Sequence, residues 1–330
     1  MSALSGQSGK SALIALTTYY NPFKGERRRH NYQVFRENLG VPLVTVEWSP
    51  DGSFDLGESD ADVMIRISGG DVMWQKERML NHGLARIRQD LLASDVAILD
   101  ADVVFATADW HRRVRKALDD YPVVQCHSRV DYLPQLPPTL RNRSDLLSQA
   151  FESSVVSLAY ALAQQGSLFT TDLATANAMA IRRAVSPAGG PGMACAVRLA
   201  ALPHFKLYDA NIVGGGDFVL AAAVTGRLQE LFSERPYAPR HQADVIDWAA
   251  RCLPSDPDRQ RFGYADNRVM HLWHGTLEGR QYGERMKILG PRDYDPAIDI
   301  DRGSDALKFT PRAAELKAVV EAYLRSRNDA

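Results

Sequence analysis

The sequence predicts an α/β fold with a mainly parallel sheet, and three observations support that class. Short β-branched and apolar runs alternate with helical patterns from residue 12 to about residue 130. The helical stretches carry apolar residues on one face, as Tyr32, Phe35 and Leu39 do. Breakers separate the runs, among them Asn21-Pro22 after the first and Gly69-Gly70-Asp71 after the third.

In chain order, ALIALTTYY (12–20) reads as the first strand, and a helix follows the Asn-Pro break through Leu39. VPLVTVEW (41–48) and DVMIRI (62–67) are the second and third strands. A helix opened by Gly-Gly-Asp spans 69–87, and DVAILDADVVF (95–105) is a further strand. Residues 109–122 form a helix with an Asp near its start and a Pro stop, and 122–130 form a strand. DYLPQLPPTLRNRSD (131–145) is a loop too long for a simple connection, which suggests a functional flap. A helix near 145–165 and a strand at 176–183 follow, then a turn-rich break, SPAGGPG (186–192). NIVGGGDFVLAAAVTG (211–226) is a glycine loop leading into a small-residue helix that ends at Gly226. Thr310-Pro311 opens an amphipathic helix through Leu316, Val319, Val320 and Tyr323.

Composition narrows the function classes. An apolar fraction of 45% and a charged fraction of 24% are those of a soluble globular chain. A net charge of -1 provides no general attraction for nucleic acid or anionic membrane. Three scattered cysteines make neither a disulfide framework nor a zinc cluster, and fit a reducing compartment. The start lacks a hydrophobic signal core, and no apolar run is long enough to span a bilayer, so a cytoplasmic protein is expected.

The chain contains five Asp-x-Asp triplets, and only Asp100-Ala101-Asp102 is flanked on both sides by strand-like residues. An unpaired carboxylate is costly to bury, so this run reads either as a strand turning into solvent or as one delivering two acids to a divalent cation. His271 and His274, three apart in MHLWHG, offer imidazole ligands that suit Mn²⁺, Fe²⁺ or Zn²⁺; alone, such a pair is more often structural. Asp102 with the two histidines makes a three-ligand set that leaves positions open for phosphate oxygens. KGERRRH (24–30) and WQKERM (74–79) set basic residues beside an aromatic, either as solvated faces or as diphosphate and base contacts. Asp217 follows three glycines at a helix start, as a plain cap or as a group facing the same crevice. No phosphate-binding G-x-x-x-x-G-K and no dinucleotide fingerprint is present.

Together, GGDVMWQKERMLNHGL and DVAILDADVVF resemble the beta-1,4-galactosyltransferase family. Its pattern there is Ala/Gly-Gly-Asp, an aromatic-Asn-Arg-Ala-Lys-Leu-Leu-Asn-x-Gly helix and a strand ending Asp-Val-Asp. PFKGERRRHNY, LYDANIVGGGDFVLAAAVTG and MHLWHG with RQYGERMKIL resemble further family segments in the same order. The resemblance implies a GT-A glycosyltransferase fold over 12–290, with a disordered 1–11 and a C-terminal extension over 291–330. It implies that Asp102, His271 and His274 hold Mn²⁺ or Mg²⁺, and that Asp100 contacts the nucleoside ribose. Phe23 and Arg27 fall near uridine and diphosphate contacts, and Trp74 and Lys76 on the donor side. Asp217, the carboxylate left in the region of the family's catalytic base, falls one position beyond that base counted back from Gly226. The resemblance implies it as the base, with Asp209 next in line, although Val213 and Gly216 stand near the family's Trp and Glu.

The expected activity is metal-dependent, inverting transfer of a sugar from a nucleotide-sugar, UDP-linked by the resemblance, to a carbohydrate or other hydroxyl acceptor. Two alternatives stand beside it. A nucleotidyltransferase would place a Gly-rich basic loop after the first strand, where this chain has only Gly25. A non-catalytic nucleotide-sugar-binding protein would account for the missing Glu and Trp.

Overall fold

In the computed structural model of the chain, residues 13–91, 93–165, 186–253, 262–275 and 284–327 are described. The disorder expected at 1–11 and the strand expected at 176–183 lie outside these residues. Strand β1 (Leu13–Tyr20) is buried on both faces, and alternation along it sorts its side chains. Ile14 and Leu16 point into one apolar cluster, Leu13 and Ala15 into another. The same alternation holds in β2 (Leu43–Ser49) and β4 (Asp95–Leu99), so both faces of the sheet must be covered.

Helices α1 (Glu26–Leu39) and α3 (Trp110–Asp120) cover one face with Tyr32, Phe35, Leu39, Trp110, Val114 and Leu118. Helices α2 (Lys76–Arg86), α4 (Gly216–Val224), α5 (Pro239–Cys252) and α6 (Ala314–Ser326) cover the other. With β3 (Val63–Ser68), β6 (Val123–Gln125), β10 (Ala194–Arg198) and β11 (Phe262–Tyr264), the sheet has seven strands in the order β11-β6-β10-β4-β1-β2-β3. Its pairs are parallel except at β10, which runs against β4 and β6. The result is a mixed α/β sandwich around a mostly parallel sheet.

A second sheet, β5-β12-β7-β8-β9, packs beside it, formed by β5 (Val103–Phe105), β7 (Arg129–Tyr132), β8 (Ser153–Ser157), β9 (Ser186–Gly190) and β12 (Arg268–His271). This sheet accounts for most differences from the expected elements. The run 95–105 is two strands in two sheets, with Asp100-Ala101-Asp102 as the turn between them. The run 122–130 divides in the same way into β6 and the start of β7. The helix expected near 145–165 is interrupted by β8, where pairing with β7 overrides local preference in a Ser- and Val-rich stretch. The turn-rich SPAGGPG supplies β9, an edge strand, where Pro and Gly are tolerated.

The helix expected from residue 69 begins at Lys76. Gly70 has a left-handed φ of 82°, and a Cβ there would lie 2.6 Å from Ala306 Cβ. Its missing side chain lets the C-terminal segment lie against the loop. Asp71 accepts the Phe309 amide at 2.7 Å, and the Gln75 side chain bonds both backbone groups of Leu307. Residues 300–324 therefore share the main core, through Ile300, Leu307, Leu316, Val320 and Leu324. Among the described residues, no helix is long and apolar enough to cross a membrane.

Candidate functional site

The order β3-β2-β1-β4 reverses its winding between β1 and β4, and α/β sheets bind ligands beyond the carboxyl ends at such a point. There, Thr18, Tyr19 and Tyr20 from β1 face Asp100 and Asp102 after β4 across a cleft. Arg28, Trp74, Lys76, His274 and Arg327 complete its walls.

Sheet pairing assembles a carboxylate–imidazole cluster in this cleft. Strand β5 runs antiparallel to β12 with Val103 opposite His271, and the Leu272 amide donates to the Asp102 carbonyl at 2.8 Å. The loop carrying His274 is held by Asn31, which donates to the Trp273 carbonyl at 2.9 Å. His274 Nε2 lies 3.1 Å from Asp102 Oδ2, and His271 Nε2 lies 3.6 Å from Oδ1. One donor atom from each residue lies within 4.8 Å of the others, and both imidazoles are buried. Among the described residues, Asp102 Oδ1 is itself buried without a hydrogen-bond partner. An acceptor oxygen left open between two imidazoles fits a borderline divalent cation.

The neighbouring wall is cationic and aromatic. Lys76 ion-pairs with Asp100; burial opposes its charge, but Asp100 and then Glu77 outweigh burial and raise its pKa above the ordinary lysine value. Trp74 lies over Gly214, where a Cβ would come 3.3 Å from its ring. The Arg327 guanidinium sits 4.7 Å from the Trp74 ring centre, and the indole Nε1 is buried without a hydrogen-bond partner among the described residues. Of the 24–30 segment, Arg28 lines the cleft. Arg27 instead lies 5.6 Å from the Trp273 ring and donates to the Leu136 carbonyl at 3.4 Å. Phe23 is 40% exposed, packs against Arg325 at 4.9 Å and is not among the residues lining the cleft.

Trp74, Lys76, Asp100 and Arg327 also border a second cavity. This inner pocket contains Asp217, Glu77 and Arg285 against an apolar wall that includes Leu80, Ile98 and Leu220. Gly214 and Gly215 both have left-handed φ, and Gly215 occupies the N-cap position of α4. Asp217 is therefore in the first turn of α4, one residue past its start, and is not its cap. Gly192 closes the opposite side, where a Cβ would come 2.8 Å from Asp217 Oδ2. Asp209 lies outside both cavities and pairs with Arg78 at 3.2 Å.

Sequence reasoning did not single out Glu77, Arg285 or Arg327. Glu77 is 7% exposed, and its pKa is pushed up to about 7 by burial, to which the charge of Asp217 adds; Lys76 and Arg285 pull the other way. A signal was present in the sequence, where Met73, Leu80 and Leu84 follow a helical spacing that Glu77 interrupts. Arg285 and Arg327 carry no such local mark.

No family model and no curated protein matches the chain. Among solved structures it is similar to a candidate nucleotide-diphospho-sugar transferase from Desulfovibrio desulfuricans G20, at 16% identity and a TM-score of 0.25. That match covers 38% of this chain and 59% of the other.

Proposed function

We propose that the chain is a metal-dependent, inverting glycosyltransferase that moves a sugar from a UDP-linked donor to a hydroxyl acceptor. The observation that supports this reading is the Asp102–His271–His274 cluster beside Trp74, Lys76 and Asp100, at the carboxyl ends of β1 and β4. Asp102, His271 and His274 would hold Mn²⁺, with Mg²⁺ second because imidazole ligands suit the softer ion. When bound, the ion supplies positive charge against the diphosphate leaving group. Lys76, Arg28 and Arg327 add fixed positive charge along the same wall. Asp100 accepts a ribose hydroxyl, and Trp74 offers an aromatic surface to the donor.

Asp217 takes the proton of the acceptor hydroxyl. The acceptor oxygen then bonds to the anomeric carbon as the bond from that carbon to the diphosphate breaks.

The test is a thermal-shift and hydrolysis screen of UDP and UDP-sugars with Mn²⁺ or with chelator. Saturation at 100 times the dissociation constant stabilises a native state by about 2.7 kcal/mol. Mn²⁺-dependent stabilisation is expected, and its absence for every nucleotide tried would refute the reading.

A further inference from the structure

Glu77 is a carboxylic acid placed where the fold has cleared space for it. Its Oε1 lies 2.4 Å from the position a Cβ on residue 216 would take, so glycine at 216 admits the carboxyl group. The group borders the inner pocket beside Asp217, while Trp74, Lys76, Asp100 and Arg327 link that pocket to the metal-binding half. Lys76 is committed to Asp100, and Arg285 lies along Gly214 and Gly215. The donor that Glu77 has is its own backbone amide; among the described residues no side chain hydrogen-bonds or ion-pairs with it. A buried carboxyl left this way in the core of a fold is costly. At the edge of a cavity, it is a hydrogen-bond acceptor available to a ligand.

We propose that Glu77 binds a hydroxyl of the transferred sugar in the inner pocket, and so sets which sugar the cleft accepts. This rests on the nucleotide-sugar reading and names the part of the site that meets the sugar. The hydroxyl donates to the Glu77 carboxylate and supplies the bond that the surrounding side chains do not. Three charged side chains face the group: Lys76 from its own helix, Asp217 from α4 and Arg285 from the segment after residue 284. Because the carboxyl group of the free protein titrates near 7, a ligand that prefers its ionised form binds more tightly as pH rises through that value. One linked proton changes affinity by at most tenfold per pH unit.

The experiment is calorimetric titration in Mn²⁺ of the wild type and Glu77→Gln with UDP, UDP-glucose, UDP-galactose and UDP-N-acetylglucosamine, from about pH 6 to about pH 8. UDP should bind both proteins alike, since it lacks the sugar. In the wild type, the affinity of at least one UDP-sugar relative to UDP should rise about fivefold or more across this range. In Glu77→Gln, which keeps the shape and cannot ionise, the ratio should be flat. A ratio that is flat in the wild type, or equally pH-dependent in the variant, overturns this inference alone. Failure of the wild type to bind UDP overturns the nucleotide-sugar reading and this inference with it.

Discussion

In the outer half of the cleft, acids sit among bases: Asp102 between two imidazoles and Asp100 on Lys76. In the inner half, Glu77 shares its surroundings with another carboxylate and has no cation within ion-pairing distance among the described residues. The two halves meet the same problem, burial of charge, in opposite ways. In the outer half each acid already has a base beside it, so removing one member strands the others. In the inner half the acid can hold a proton, and its ionisation is coupled to whatever enters the pocket.

The largest effect should come from breaking the outer half. Asp102→Ala should reduce Mn²⁺-dependent UDP binding below detection while the far-UV circular dichroism stays unchanged. Retained affinity for UDP would remove Asp102 from the metal centre. Next comes the inner half: Asp217→Asn should lower kcat by about 10²- to 10⁴-fold, with UDP and Mn²⁺ binding kept. Loss of donor binding, or unchanged turnover, would assign Asp217 a role other than the base.

A finer comparison lies within the outer half. His274 stands 3.1 Å from Asp102 and His271 stands 3.6 Å away. His274→Ala should therefore weaken Mn²⁺ affinity more than His271→Ala, as read by calorimetric titration of the metal alone. Equal losses would make the two ligands equivalent, and no loss from either would make the pair structural.

The smallest effect is on stability. Glu77 has a folded pKa of about 7 against an ordinary value of 4.5. Between those values the folded chain keeps a proton that the unfolded chain releases. Its contribution is thus fully present below about pH 4.5 and is lost as pH rises through about 7. Glu77→Gln removes the cost of ionisation and should stabilise the protein at about pH 8 by up to about 3 kcal/mol, with little gain at about pH 5. Thermal melts at the two pH values check this. A gain independent of pH would mean that Glu77 is well solvated.

Much of the outer half was legible because its chemistry is local in sequence. Asp100 and Asp102 share one turn, His271 and His274 share one short segment, and both stand out against apolar neighbours. Trp74 and Lys76 were visible as an aromatic and a base at a helix start, and both line the cleft. The register inside 24–30 was less legible, since consecutive arginines on a helix point in different directions; Arg28 reaches the wall while Arg27 packs on Trp273. The strand–helix alternation in the first half was equally readable, because a sheet buried on both faces writes continuous apolar runs.

By itself the sequence determined the α/β class, most of the first-half strands and helices, and the residue types able to hold a cation. It could not assign strands to sheets: 95–105 reads as one apolar run, and only pairing of β5 with β12 turns it at Asp100 and brings Asp102 to His271. The inner pocket was also decided by tertiary structure. Glu77 becomes a buried acid because Gly216, far along the chain, leaves its space open, and Arg327 reaches Trp74 because Gly70, Asp71 and Gln75 hold the C-terminal segment against the loop before α2. Burial, and with it the pKa of a carboxyl group, depends on neighbours distant in sequence, whereas periodicity and residue type are written locally.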